Sequence, residues 1–288
     1  MERVHVAMIS GRLSSRQRRR WRPERVGPII ASVSSPQAER AVEVHSEQAA
    51  TFAARYSVAD PYGSCFAYSR MRLDRLLDRY LPKTEEPLRL LDVGCGTGHQ
   101  LVAWRGRGYE VAGVDGSSAM LEHARRNNPD IDLQEAPAHE LPYADMSFDR
   151  VTSIEVLRYL PDPTACISEM ARVLKPGGVC LATAAPLFAL NGYAVVNRLA
   201  LALPLRRLTR LKQFFTTSRR LRTQFAAAGF TGVRIHGVYL GPLIWLERLA
   251  PKMLRRLLPR WERVDELLAD RAVLRDLGNM YLVRAVRG

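Results

Sequence analysis

The sequence predicts an α/β fold in which a mostly parallel sheet is covered by helices on both faces. Three observations predict it. Short apolar runs alternate with helix-like stretches between residues 88 and 185. The first run leads into a glycine-rich turn, Gly94-Cys95-Gly96-Thr97-Gly98, from which a helical stretch opens. The second run ends in a carboxylate, Asp115, nineteen residues beyond Gly96. Such alternation is expected of parallel strands joined by crossover helices that bury both faces of the sheet.

Residues 1–40 carry nine basic and three acidic residues, with Ser-Ser and Arg clusters and little periodicity. They are predicted to be a basic, disordered arm, and the run RQRRRWR leaves no room for the apolar core of a secretory signal. A single domain is expected over 41–288. Its first part, 43–82, reads as helical: HSEQAATFAARY, a DPYG turn at 60–63, then Met71, Leu73, Leu76, Leu77 and Leu81 at helical spacing. Strands are predicted at 88–93, 109–114, 131–136, 148–154 and 178–185, with helices at 98–107, 117–127 and 163–174. A basic, mostly helical stretch follows over 186–229. The strands at 231–240 and 280–286 suit an antiparallel edge, with helix-like residues 241–278 between them. There Leu246, Met253, Leu257, Trp261, Val264 and Leu268 fall on one side of a wheel, opposite Arg248, Lys252, Arg255, Arg256, Arg260 and Arg263. Pro251 and Pro259 predict two or three short helices in place of one.

The charge is unusual for so ordinary a composition: 43 Lys and Arg against 29 Asp and Glu, a net +14, with 47% hydrophobic residues. The apolar content excludes disorder throughout. Residues 85–186 are net acidic, whereas 191–264 hold fifteen basic and two acidic residues. An anionic membrane surface, nucleic acid or an acidic ligand are the partners such an excess suggests. Four dispersed cysteines, Cys65, Cys95, Cys166 and Cys180, exclude a zinc-finger spacing and imply a reduced, cytoplasmic chain.

The stretch LLDVGCGTGHQ carries the chemistry. Its glycines let backbone approach a ligand at a helix N-terminus, where N–H groups are free. Asp92 beside the turn repels a pyrophosphate and can hold an ammonium group. Asp115, ending the next strand, can accept both hydroxyls of a ribose. A ligand with an adenosine-type ribose and an amino-acid head but no phosphate meets these demands, and S-adenosylmethionine is such a ligand.

With VAGVDGSSAMLEHAR, ELPYADMSFDRVTSIEVLRYLPDP, MARVLKPGG and FAAAGF, this stretch resembles the class I S-adenosylmethionine-dependent methyltransferases of the broad type 11 group. That group includes ubiquinone and menaquinone C-methyltransferases and many small-molecule methyltransferases. The resemblance is strong over about a third of the chain. It implies a Rossmann-like, seven-stranded sheet of order 3-2-1-4-5-7-6. It further implies a cofactor site at Asp92, Gly94, Gly96, Gly98, Asp115, Gly116, Ser117, Met120, Ala138 and Glu155, around an S-adenosylmethionine core at 88–185. Helical elements at 186–229 and 241–278 would shape the substrate side. The family usually has an Asp four residues before the Leu-Pro pair; here it is Pro137, so one adenine hydrogen bond worth about 0.5–1.5 kcal/mol is absent, and the N–H of Ala138 remains.

Methyl transfer from a sulfonium needs alignment above all, and a base only where the acceptor must lose a proton. Glu155, Tyr159 and His99 are the catalytic candidates, with His139 and His236 behind them; Tyr56 is a candidate cap, Cys95 a small filler, and no metal is expected. The expected function is methyl transfer to a small, apolar or quinone-like acceptor, with peripheral contact to an anionic membrane as a candidate partner. The alternatives are an RNA methyltransferase and a non-catalytic homologue that binds the cofactor and acts through partners. Few aromatics are interleaved with the arginines, which disfavours nucleic acid.

Overall fold

The computed structural model describes residues 35–51, 60–202, 212–241 and 243–288. Tyr56 and nearly all of the basic arm lie outside the described residues. The chain is described from helix α1 (Pro36–Glu47), which begins inside the stretch expected to be disordered. The start signal is local: Ser35 caps the helix by accepting from the Ala38 N–H, and Pro36 takes the first turn, where its missing N–H is no loss. Helix α2 (Cys65–Tyr80) is capped likewise by Ser64.

The sheet follows. Strand β1 (Arg89–Val93) leads through the glycine turn to α3 (His99–Arg105), β2 (Glu110–Asp115), α4 (Ser118–Asn127) and β3 (Asp132–Glu135). Then come β4 (Phe148–Ser153), a 3-10 turn at Leu157–Tyr159, α5 (Thr164–Val173) and β5 (Leu174–Pro186). The C-terminal part comprises α6 (Tyr193–Ala202), β6 (Phe215–Thr216), α7 (Ser218–Ala227), β7 (Phe230–Gly237), α8 (Leu243–Leu249), α9 (Pro251–Leu268) and β8 (Tyr281–Arg287). Strand order is β3-β2-β1-β4-β5-β8-β7, parallel up to β5 and antiparallel at β8 and β7. This is the predicted Rossmann-like order with one addition. The two-residue β6 pairs with the end of β5, Ala185 opposite Phe215, and makes an eighth strand where seven were expected. So short a strand leaves no periodic signal.

Alternation along the strands divides the core. Leu91, Val93, Val114, Phe148 and Val151 face α5 and α7, packed with Ile167, Met170, Leu221 and Phe225. Leu90 and Leu181 face the other side with Leu77, Leu101, Trp104 and Leu121. Burying each such side chain contributes about 1.5–3 kcal/mol. The two cores hold the C-terminal ends of β1, β2 and β4 as a rigid ledge, where the order reverses on either side of β1.

The C-terminal helices match expectation in number, two parted before Pro251, and differ from it in detail. Pro251 starts α9, but Pro259 lies within it without ending it. Pro259 and Arg255, whose carbonyl it cannot bond, are both exposed, so water can take the place of that hydrogen bond. The expected apolar side is also rotated. Leu246, Leu257 and Trp261 pack partly inward, but Met253, Val264 and Leu268 are exposed, and the buried seam is Leu254, Leu258 and Asp265. The cause is Asp265, which is wholly buried because it accepts from the Tyr68 hydroxyl (2.8 Å) and the Leu240 N–H (2.7 Å). None of the helices among the described residues is long and apolar enough to cross a membrane.

Candidate active site

The ledge opens on a cavity of about 830 Å³. The turn after β1 forms one wall. Gly94, Gly96 and Gly98 all have positive φ, at +77°, +54° and +77°. At Gly94 a Cβ would lie 2.2 Å from Val156 Cγ2, so only glycine fits; at Gly96 a Cβ would meet nothing within 4 Å. Gly96 thus presents bare backbone to the cavity. Gly98 and Ser117 are not on the wall. Gly98 turns the chain into α3 against Ala124 and Asn128, and Ser117 is buried as the cap of α4, its Oγ 2.6 Å from Ser46 Oγ. Sequence pattern singled out both because they adjoin residues that line the cavity.

Asp92 and Asp115 do reach the wall. Asp115 accepts from two backbone N–H groups, Gly96 (2.8 Å) and Ser117 (2.9 Å), which tie the glycine turn to the end of β2. Burial nevertheless raises its pKa, with those two hydrogen bonds opposing. Asp92 is almost fully buried, and the Thr152 hydroxyl (2.8 Å) donates to it. Burial pushes Asp92 up to about 7, with Asp115 adding to the shift and Thr152 and Arg70 opposing it. Two carboxylates, Asp92 buried and Asp115 half-buried, beside a cradle of backbone suit a cation and a pair of hydroxyls, and repel a phosphate.

Met120, Gly116, Pro137 and Ala138 line the same cavity, as does His139. Pro137 offers no side-chain acceptor, as its chemistry dictates. Across from them, Glu155 stands at φ +65°, a strained conformation for a non-glycine residue, held by its N–H donating to Thr183 Oγ1 at 2.7 Å. Its carboxylate pairs with Arg158, which does not itself line the cavity. Burial works against the Arg158 charge, but Glu155 together with Tyr159 and Tyr193 more than offsets it and raises that pKa. Tyr159 lies on the wall with its ring edge-on to His45, 4.8 Å between centroids. His99 is there too; burial and Arg70 lower its pKa, with Asp74 opposing, which favours the neutral imidazole. Cys95 lines the wall, and burial raises its thiol well above the ordinary value, which suits a filler. His236 is not on the wall: it sits between Tyr80 (2.7 Å) and Asp270 (2.8 Å).

The sequence missed the roof. Ala38, Val42 and His45 of α1 and Phe66 and Arg70 of α2 line the cavity. His45 Nδ1 is 2.6 Å from the Ala41 carbonyl, which fixes the ring against its own helix, and Val42 approaches Gly116. Arg70 bonds Asp74 and Gln100 beside His99. The capped start at Ser35-Pro36 was the available signal for α1. Among the described residues, no cluster of three or more His, Cys, Asp or Glu could hold a metal.

Residues 91–182 match the methyltransferase domain family. The chain is 43% identical over 90 residues to the demethylmenaquinone methyltransferase of Renibacterium salmoninarum, covering 31% of this chain and 38% of that protein. It is 36% identical over 147 residues to a ubiquinone biosynthesis O-methyltransferase of Alkalilimnicola ehrlichii, covering 47% of this chain and 58% of that one. The chain therefore spans less than two thirds of the length of these curated relatives. Among solved structures, it is similar to an S-adenosylmethionine-dependent methyltransferase from Thermotoga maritima described as a possible histamine N-methyltransferase. The TM-score is 0.56 at 17% identity, over 85% of this chain and 99% of that one, a likeness of fold.

Proposed function

From the methyltransferase domain that residues 91–182 form, we infer that this protein transfers a methyl group from S-adenosylmethionine to a small-molecule acceptor. The observation that carries the reading is the pairing of Asp92 and Asp115 across the glycine turn of one cavity. Asp92 would hold the α-ammonium of the donor, and Asp115 its ribose hydroxyls. Met120 and the Ala138 N–H would flank the adenine. Proline at position 137 leaves the adenine amino group short of one acceptor, at a cost of about 0.5–1.5 kcal/mol. The bound donor supplies an activated methyl whose S–CH3 electrons leave with sulfur as the new bond forms.

The chain's own work is alignment and exclusion of water. The roof of α1 and α2 closes over the turn, and Glu155, pinned by Thr183 and Arg158, fixes the loop on the acceptor side. Where the acceptor must lose a proton, His99, on the cavity wall and held below its ordinary pKa by burial and Arg70, would take it. Val42, Phe66, Ile154, Val156 and Leu160 make the wall largely apolar, which suits a hydrophobic acceptor. The names of the relatives support a quinone-like one. The proposed setting is the cytoplasm, with peripheral access to a membrane in which such an acceptor dissolves.

Incubating the protein with methyl-labelled S-adenosylmethionine and a cell extract, then fractionating the label, tests this. Label is expected in organic-extractable small molecules, with none from the Asp115→Ala variant. Label confined to RNA, or no transfer at all, would overturn the acceptor class or the activity respectively.

A further inference from the structure

Helices α8 and α9 carry a surface that the methyl-transfer site does not use. The burial of Asp265 sets the rotation of α9, and that rotation sorts its charges. Glu262 and Glu266 turn toward α2, where Glu262 pairs with Arg75 and Glu266 with Arg72 (3.0 Å) and Arg75 (2.9 Å). The outward stripe is left with Lys252, Arg256, Arg260 and Arg263, all exposed, with Arg248 and Arg255 beside it. None of these six makes an ion pair among the described residues, so the face is wholly cationic.

Apolar side chains border and interrupt that stripe. Leu249 is 83% exposed at the junction of the two helices, Leu267 68% and Met253 54%, and Val264 and Leu268 are also exposed. Of the thirteen exposed large hydrophobic residues among those described, six lie on α8 and α9, from Trp245 to Leu268. Single exposed leucines need no explanation, but concentration on one cationic face does. An unpaired row of cations next to an exposed apolar edge is the arrangement of a helix lying in a lipid interface.

We propose that this face of α8 and α9 docks on an anionic lipid bilayer, with Leu249, Met253 and Leu267 entering the headgroup boundary and the cations meeting lipid phosphates. Charge complementarity selects the anionic surface. Nucleic acid fits less well, because the two tryptophans at hand are engaged: Trp245 donates to the Asn191 carbonyl and Trp261 to the Leu240 carbonyl. The proposal goes beyond the methyl-transfer reading and does not depend on it, since binding to lipid is measured without donor or acceptor.

Sedimentation of the full chain with vesicles tests it. Binding is expected to 3:1 phosphatidylcholine–phosphatidylglycerol vesicles and not to phosphatidylcholine alone. Combining Lys252→Glu, Arg256→Glu, Arg260→Glu and Arg263→Glu is expected to lower partitioning by roughly a hundredfold or more. Combining Leu249→Ser, Met253→Ser and Leu267→Ser should lower it roughly tenfold. All seven positions are exposed, so the thermal midpoint and S-adenosylmethionine binding should not change; Gln at the four cationic sites gives the same reading if the reversed set fails to fold. Unchanged vesicle binding in the charge variant, equal binding to both vesicle types, or preferential binding of oligouridylate lost in that variant would overturn the proposal.

Discussion

Replacing Asp92 with asparagine separates what that carboxylate costs the fold from what it does for a ligand. Before any ligand binds, Asp92 is buried with the Thr152 hydroxyl as its donor, and its pKa is pushed up to about 7 from an ordinary 3.8. A raised carboxylate pKa means that the folded state keeps its proton after the unfolded chain has released it. The resulting penalty is absent below about pH 4, grows as pH rises through the window to about 7, and is constant above. About three pKa units at 1.36 kcal/mol each put it on the order of 4 kcal/mol at pH 8. Asparagine removes the ionisation, and its Oδ1 still accepts from Thr152. The variant should therefore be more stable than the parent at pH 8 and nearly equal to it at pH 4, while losing the ammonium partner of S-adenosylmethionine. Thermal unfolding without ligand at pH 5, 6, 7 and 8 measures this, at roughly 2–4 °C per kcal/mol. A variant that is less stable at pH 8, or a stability gap that is the same at pH 5 and pH 8, would refute the reasoning.

Two further outcomes follow from the same wall. Gly94→Ala combines a positive φ with a Cβ 2.2 Å from Val156 Cγ2, so it should lower stability by more than the ~1–3 kcal/mol of backbone strain alone. Adding Val156→Ala should recover part of the loss, and a neutral Gly94→Ala in thermal unfolding would contradict the packing described. If His99 takes a proton during transfer, the acid limb of the pH–rate profile should lie below His99's ordinary 6.5 and vanish in His99→Gln. A limb that survives in that variant assigns the titration to another group.

The sheet was legible because each of its buried strands reads as an apolar run closed by a turn. The clustering of Asp92, Gly94, Gly96 and Asp115 was legible because they are brought together by a local strand–turn–helix and one adjacent strand. The roof was not. Helix α1 is tied down by contacts distant in sequence, such as Ser46 with Ser117, and its buried apolar side chains, Ala41 and Val44, are too few to form a stripe that announces burial. The face of α9 was misread for a different reason. A helical wheel assumes that apolar residues decide which side is buried, whereas here a buried aspartate, satisfied by Tyr68 and Leu240, fixes the rotation and turns Met253 and Val264 outward. Gly98 and Ser117 show the converse limit: they sit within the motif yet serve the backbone and a cap.

Calorimetric titration of S-adenosylmethionine into the protein and its Asp115→Ala variant tests directly whether Asp115 holds a ribose at the end of β2. Loss of hydrogen bonds to a charged acceptor, at about 1.5–3 kcal/mol each, predicts saturable one-to-one binding by the parent and an affinity weaker by roughly a hundredfold or more in the variant. Equal affinity in the two proteins, or no binding by the parent, would contradict it.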